Sequence, residues 1–441
     1  MIRRSAIAAL VGLLTLSGCG LFGDDEANTP TVGNRVAILP GESRVEADPA
    51  LAAVPVNLPP AITNPEWTQP GGEAAKSLGH VFVAVSPQRR WTTSIGAPAS
   101  KNAYYGAPPA ASGNRIFAID TQARIAAFDA QSGQSLWTAS LRRAGESDRV
   151  AFGGGVSALG GRVYATSGFG FVAAYDAATG TELWRTDLEL PLRGAPTVAD
   201  NRVFAMTLDN QLFALNAETG ERDWEAIGTI ESTGLLGAGS PAVNRDTAVM
   251  GFSSGEISAA RVENGRILWQ DIIARTGRTT SLTALSDIDA SPVIDDSGNV
   301  IAFGHGGRLV SIRLQSGQRQ WEQTLGGTSI PWVAGDWVFV VSTAGELAAV
   351  QKSDGRIRWI KQLPRWRDVD DRKGAISYAG PVLAGGRLWL TSTEGDLITA
   401  DPLTGDIQAQ QEAGNQFYLP PIVANETLYL LDEDGRLSAW R

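Results

Sequence analysis

The stretch Asp176-Ala177-Ala178-Thr179-Gly180-Thr181-Glu182-Leu183-Trp184 recurs along the chain with its glycine and tryptophan at a fixed interval. Its copies are DAQSGQSLW ending at Trp137, NAETGERDW at Trp224, RVENGRILW at Trp269, RLQSGQRQW at Trp321 and QKSDGRIRW at Trp359. In all six, glycine stands four residues before tryptophan, and a seventh copy, DPLTGDIQA, keeps Gly405 but has Ala409 in place of the ring. Short alternating segments precede each copy; in the third unit they are APTVAD, NRVFAMT and QLFALNA. Each unit therefore reads as four strands of period two, separated by turns. Hairpins of this kind need positive φ at one position, which glycine adopts without strain. The large apolar face of the tryptophan is then free to cover the neighbouring unit.

Units of four strands following one another at 38 to 52 residues imply a closed ring. Inner strands are expected at 108–111, 154–158, 195–199, 241–244, 291–295, 331–334, 380–384 and 420–424. The last unit, LPPIVANETLYLLDEDGRLSAWR, holds only three strands, while Trp91 lies 46 residues ahead of Trp137 on a strand, RRWTTSI, with no inner strands of its own. The expected fold class is thus all-β: an eight-bladed β-propeller of four-stranded antiparallel blades, with residues 80–95 completing the last blade. Closure of this kind leaves no open sheet ends. No segment of the body sustains the 3.6-residue period that a helical solenoid needs.

Arg3 and Arg4, the uncharged run Ala6 to Leu16 and the small residues after it form an export signal, since 11 apolar residues are too few to span a bilayer. Leu16-Ser17-Gly18-Cys19 resembles the lipobox of bacterial lipoproteins, in which the thiol is acylated; Cys19 is the one cysteine of the 441 residues. Prolines then interrupt every candidate element from Gly20 to about Ala75. The expected organisation is a signal peptide at 1–18, a proline-rich tether at 19–75 and the propeller at 76–441. With 47 acidic against 37 basic residues, nucleic acid is disfavoured as a ligand, because its affinity comes from cations meeting phosphate.

Material for catalysis is scarce. The chain has two histidines, His80 and His305, the second in a Gly304-His305-Gly306-Gly307 stretch expected to be a solvated turn. A histidine-based nucleophile or a histidine and cysteine zinc site has almost nothing to draw on. Gly153-Gly154-Gly155 lies between strands, where a phosphate loop would need a helix, and Asp295-Asp296-Ser297-Gly298-Asn299 lacks the later bidentate glutamate of a calcium loop. No cofactor, metal or catalytic residue is expected.

Three blade-to-blade connections are long: 225–239, 270–289 and 360–379. Connections from an outer strand to the next inner strand share one face of the disc, and long loops on a rigid scaffold are common binding elements. The first offers Ile230, Leu235 and Leu236; the second offers Leu282, Leu285, Asp287, Ile288 and Asp289. An apolar centre with charged edges suits a protein interface. Arg365-Trp366-Arg367-Asp368 in the third is a second candidate patch, although its tryptophan could equally pack on the body.

The run from Ala174 through Asp176, Thr179 and Gly180 to Trp184 resembles the tryptophan-docking repeat of pyrroloquinoline-quinone propellers, a group that contains enzymes and non-enzymes. Lipobox, tether and eight such units together resemble the outer-membrane protein assembly factor family, BamB. Leu285-Ser286-Asp287-Ile288-Asp289 is similar to the stretch by which members of that family contact the barrel-forming subunit. A second family contact loop falls on Thr233-Gly234-Leu235-Leu236, where Leu236 replaces the family's arginine. The resemblance implies a non-catalytic, lipid-anchored scaffold at the outer membrane, facing the periplasm. It also implies partner-binding residues Leu235, Leu236, Asp287, Ile288 and Asp289. The implied partners are the periplasmic domain of the barrel-forming subunit and its companion lipoproteins. Gly20 after Cys19 is not the aspartate that retains lipoproteins at the inner membrane. A quinone-dependent dehydrogenase and a propeller scaffold of another envelope complex remain as alternatives.

Overall fold

A computed structural model describes residues 45–101, 103–147, 153–229, 239–273 and 287–441. Their strands form eight four-stranded antiparallel sheets plus one small hairpin, Trp366–Asp368 with Lys373–Ala375. The inner strands are Ala110–Ser112, Gly154–Leu159, Thr197–Ala199, Ala242–Asn244, Val293–Ile294, Trp332–Ala334, Tyr378–Ala384 and Ile422–Ala424, one for each blade in chain order. Arg89–Ser94 pairs with Arg436–Trp440 and supplies the outer strand of blade eight, as the orphan Trp91 predicts.

Period two survives only on the outer strands. In blade one the second and third strands bury almost every residue on both faces, whereas Ser135–Ser140 alternates. Each blade is sandwiched between two others, so its middle strands have no solvent face; the rim strand does.

The repeated tryptophan explains how blades hold one another. Glycines 133, 180, 220, 265, 317, 355 and 405 all have φ between 71° and 78°, and each lies under the tryptophan of the preceding blade. The indole N–H then donates to a carbonyl of that same hairpin, as Trp184 does to Ala217 O at 3.0 Å and Trp269 to Leu314 O at 2.6 Å. On its own blade the ring tilts against an aromatic of the second strand, Trp184 on Tyr164 and Trp224 on Phe204. Ala409 also finds its reason. In blade eight the third and fourth strands are not consecutive, so there is no glycine hairpin there for a blade-seven tryptophan to cover.

Gly220 shows what the pairing demands: a Cβ there would sit 2.5 Å from Trp184 Cε3, on a backbone at φ 76°. Gly220→Ala combines a clash with left-handed strain and is expected to cost about 2–4 kcal/mol in urea unfolding followed by circular dichroism.

Of the tether expected at 19–75, residues 19–44 lie outside the described residues, whereas 45–75 belong to the compact body that begins at Val45. Residues 64–81 run once around the central channel and bond the inner strand of every blade. Asn64 O accepts from Asn425 N–H in blade eight, and Trp67 exchanges two bonds with Ala111 in blade one. Thr68 O accepts from Ala158 N–H, and the Gln69 side chain brackets Val198. Ala74 and Ala75 accept from Val243 and Ile294, Gly79 from the Trp332 indole, and Val81 pairs with Leu383 and Gly385. Eight inner edges splayed around a ring cannot all be paired by one straight strand. A chain bent by prolines and glycines satisfies a few backbone groups on each, which burial otherwise makes costly. The composition that reads as a tether therefore serves here as a plug. Its Lys76 is fully buried with its Nζ donating to Thr197 Oγ1, and burial pushes its pKa down to about 7.

Candidate functional site

Residues just ahead of the inner strands lie at the face that carries the outer-to-inner connections. Segments 230–238 and 274–286 of that face, and with them Leu235 and Leu236, fall outside the described residues, as does Cys19. Asp287, Ile288 and Asp289 are described, and the first two are buried in the body although they end a long connection. Asp287 and Ile288 are each 1% exposed. The Asp287 carbonyl accepts from His305 N–H at 2.9 Å and Ile288 N–H donates to Phe252 O at 3.2 Å, which straps the segment between blades four and five. Ile288 packs on Gly251, where any added Cβ would lie 2.4 Å from Ile288 Cγ2. A glycine opposite and two backbone bonds leave the segment no way to stand out as a rim loop.

Asp289 is half-buried, and it reaches the wall of a cavity. Its Oδ1 meets Arg193 Nη2 at 3.5 Å, with side chains 7% and 2% exposed. Arg193 stands ahead of the inner strand of blade three, so the pair bridges across blade four. There Ser240 continues the link, its N–H donating to Ser291 Oγ and its hydroxyl to Ala195 O. Burial raises the Asp289 pKa to about 6, the neighbouring Asp287 adds to the rise, and Arg193 opposes it. His305 is half-buried, which corrects the solvated turn expected for it, and burial lowers its pKa against the opposing effect of Asp287.

The cavity is an open cleft of about 370 Å³ at the centre of this face. Asp289 and Ser291 line it from blade five, while Tyr105, Tyr378 and Tyr418 line it from blades one, seven and eight. The plug closes it below: Trp67 stacks on Trp332 with centroids 5.8 Å apart and planes at 16°. The 360–379 connection stands beside the cleft as the small hairpin, with Val369 72% exposed, Arg365 over the Trp366 ring and Arg367 paired with Glu394. Among the described residues no group of three or more histidines, cysteines, aspartates or glutamates is placed to hold a metal ion.

The structure sets Asp289 beside Arg193 and in one cleft with the tyrosines, none of which the sequence reading named. Arg193-Gly194-Ala195-Pro196 and Asp289-Ala290-Ser291-Pro292 occupy equivalent places ahead of two inner strands. That equivalence was the available signal, because opposite charges at one register of a ring point towards the same axis.

A family model described as outer membrane protein assembly factor BamB matches residues 121–361 and 364–440. Outer membrane protein assembly factor BamB of Shigella dysenteriae serotype 1 is 30% identical over 391 residues, covering 79% of this chain and 88% of that protein. The Escherichia coli (strain K12) protein of the same name is 29% identical over 391 residues, with the same coverage of 79% and 88%. Among solved structures, BamB from Moraxella catarrhalis has a TM-score of 0.62 at 19% identity, covering 80% of this chain and 98% of that one. A quinohemoprotein alcohol dehydrogenase from Comamonas testosteroni has a TM-score of 0.65 at 13% identity, covering 86% and 81%. Likeness to both an assembly factor and a dehydrogenase speaks for the propeller and leaves the activity open. The family model spans well over half of the chain, and the chain therefore belongs to the outer membrane protein assembly factor BamB family.

Proposed function

We propose that the chain is a non-catalytic scaffold of outer-membrane β-barrel assembly, anchored at the outer membrane by lipid on Cys19 and facing the periplasm. The face carrying the long connections docks on the periplasmic part of the barrel-forming subunit. Leu235 and Leu236 supply apolar contact, and Asp287-Ile288-Asp289 contribute from the segment strapped between blades four and five. The observation that carries this reading is the match of residues 121–440 to a family named for outer membrane protein assembly. The second support is chemical: a rigid ring that gathers Asp289, Ser291 and three tyrosines around a cleft on one face is suited to holding a partner in register. The companion lipoproteins of the machinery are the further partners in this reading.

Co-purification from detergent-solubilised membranes tests the docking face. Leu235→Asp combined with Leu236→Asp is expected to reduce recovery of the barrel-forming subunit by about tenfold or more, the scale of losing ~1.4 kcal/mol at an interface centre. The thermal midpoint of the variant should match that of the parent chain.

A further inference from the structure

The ring closes between blades eight and one, and the seal there differs from those between blades two and three and between blades three and four. Arg162 of blade two, Arg202 of blade three and Thr427 of blade eight hold one register, each opening the second strand and paired with the last residue of the inner strand. Arg162 reaches the next hairpin and donates to Ala217 O at 2.9 Å, the carbonyl that Trp184 also uses, and Arg202 reaches Glu263 O at 3.5 Å. Thr427 is too short to do the same and gives its hydroxyl to Asn425 O at 3.2 Å. The corresponding carbonyl, Ala130 O, accepts from Trp91 Nε1 at 3.2 Å and Tyr429 Oη at 3.4 Å. Where the guanidinium is missing lies a pocket of about 310 Å³ on the glycine-hairpin face, with Trp91, Thr427 and Tyr429 among its walls.

Its other walls are rich in donors. Arg90 and Arg441 line it with the amides of Asn114, Gln131 and Asn425, and no carboxylate side chain lines it among the described residues. The Arg90 guanidinium and the Gln131 and Asn425 amides have no hydrogen bond or ion pair among the described residues. The carboxylates nearby are engaged. Glu426 pairs with Arg441 at 3.3 Å, an exposed contact of the kind that contributes little, and Asp129 accepts from Asn114 and from the N–H groups of Gln131 and Ser132. An adjoining pocket adds Arg115 and one acid, Glu66, whose Oε1 accepts from Ser112 Oγ and Gly113 N–H. Two guanidiniums disfavour a further cation in the space and favour a ligand that brings acceptors. Donors on separate strands suit a tetrahedral oxyanion, whose oxygens do not share a plane, whereas a carboxylate is satisfied by one planar fork.

We infer that this pocket at the closure of the ring is a binding site for a phosphate group. Arg90 and Arg441 meet its charge, and the Gln131 and Asn425 amides donate to the remaining oxygens. The Trp91 and Tyr429 rings, 5.9 Å apart, take the apolar part of the molecule that carries it. The pocket lies on the face opposite the long connections, so it stands apart from the docking reading.

The test uses the purified full chain in a non-ionic detergent. Glycerol 3-phosphate and dihexanoylphosphatidylglycerol, a short-chain lipid, are titrated in a calorimeter. Saturable binding is expected by about 10 mM, and trimethyl phosphate, which keeps the tetrahedral oxygens and loses the charge, should bind about tenfold more weakly or worse. Tighter binding of the lipid names a membrane headgroup as the source of the phosphate, and tighter binding of glycerol 3-phosphate names a soluble ester. Arg90→Gln should weaken glycerol 3-phosphate binding by about tenfold or more, and Thr427→Met, which fills the slot without adding charge, should weaken it as much. Binding reduced by Arg90→Gln and untouched by Thr427→Met would reveal surface attraction alone and overturn the inference. Equal binding of trimethyl phosphate, or no saturation by about 10 mM, would overturn it too. The trimethyl phosphate comparison needs no variant, so it decides even if Thr427→Met does not fold.

Discussion

Trp67→Ala is expected to lower the free energy of unfolding by about 3–5 kcal/mol, the range for truncating a fully packed aromatic residue. The ring is 2% exposed, stacks on Trp332 and sits where the plug exchanges two backbone bonds with blade one. Its indole N–H has no acceptor among the described residues, so the loss is one of packing rather than of a hydrogen bond. Neighbouring Gly72 lies close enough that a Cβ on it would be 3.4 Å from the Trp67 ring, which leaves little freedom for the backbone to collapse into the space. Urea denaturation followed by far-ultraviolet circular dichroism measures the effect. A tryptophan in a tether would change stability by no more than about 0.5 kcal/mol, as substitutions at unpacked sites do.

Asp289→Arg is expected to be comparably damaging, because it sets a second guanidinium against Arg193 inside the mouth of the ring. Breaking a buried pair by removing one partner costs about 3–5 kcal/mol, and here the remaining cation also meets a like charge. On an exposed rim the same change would be nearly neutral. The pH dependence separates charge from packing. Asp289 has a folded-state pKa raised to about 6 from an ordinary 3.8. The folded state thus binds its proton more tightly, and this contribution to stability is fully present below about pH 4 and lost as pH rises through about 6. The difference corresponds to about 3 kcal/mol. Relative to Asp289→Asn, the parent chain should therefore lose stability by up to that amount between pH 4 and 7.5. Asp287 and Arg193 both act on the group, so the comparison is made between the two chains at each pH. Parallel stability curves would show that Asp289 does not titrate in a buried site.

The repeat made the ring legible before any coordinates. Glycine and tryptophan at one interval encode a hairpin and the ring that covers it, which is a local pattern with a neighbour-to-neighbour consequence. Even the closing strand could be read, since Trp91 sits one repeat ahead of Trp137. The plug was not legible, because proline-rich composition reports only what a segment cannot form by itself. That Asn64, Trp67, Gln69 and Val81 meet the edges of separate blades depends on contacts dozens to hundreds of residues apart. The burial of the candidate aspartates was illegible for the same reason. Asp287 and Asp289 were found by type and spacing, but their burial depends on Gly251 and Phe252 of blade four, which no pattern within the connection itself could reveal.

Docking through the face of the long connections is tested most directly by comparing two sets of substitutions on opposite faces of the same disc. Leu235→Asp with Leu236→Asp alters that face, whereas Glu218→Arg changes an exposed residue of a glycine hairpin on the other side of blade three. Recovery of the barrel-forming subunit from native membranes should fall by about tenfold or more for the first and stay at the parent level for the second, with both proteins folded. Undiminished recovery by the folded Leu235 and Leu236 variant, or a loss only with Glu218→Arg, would contradict it.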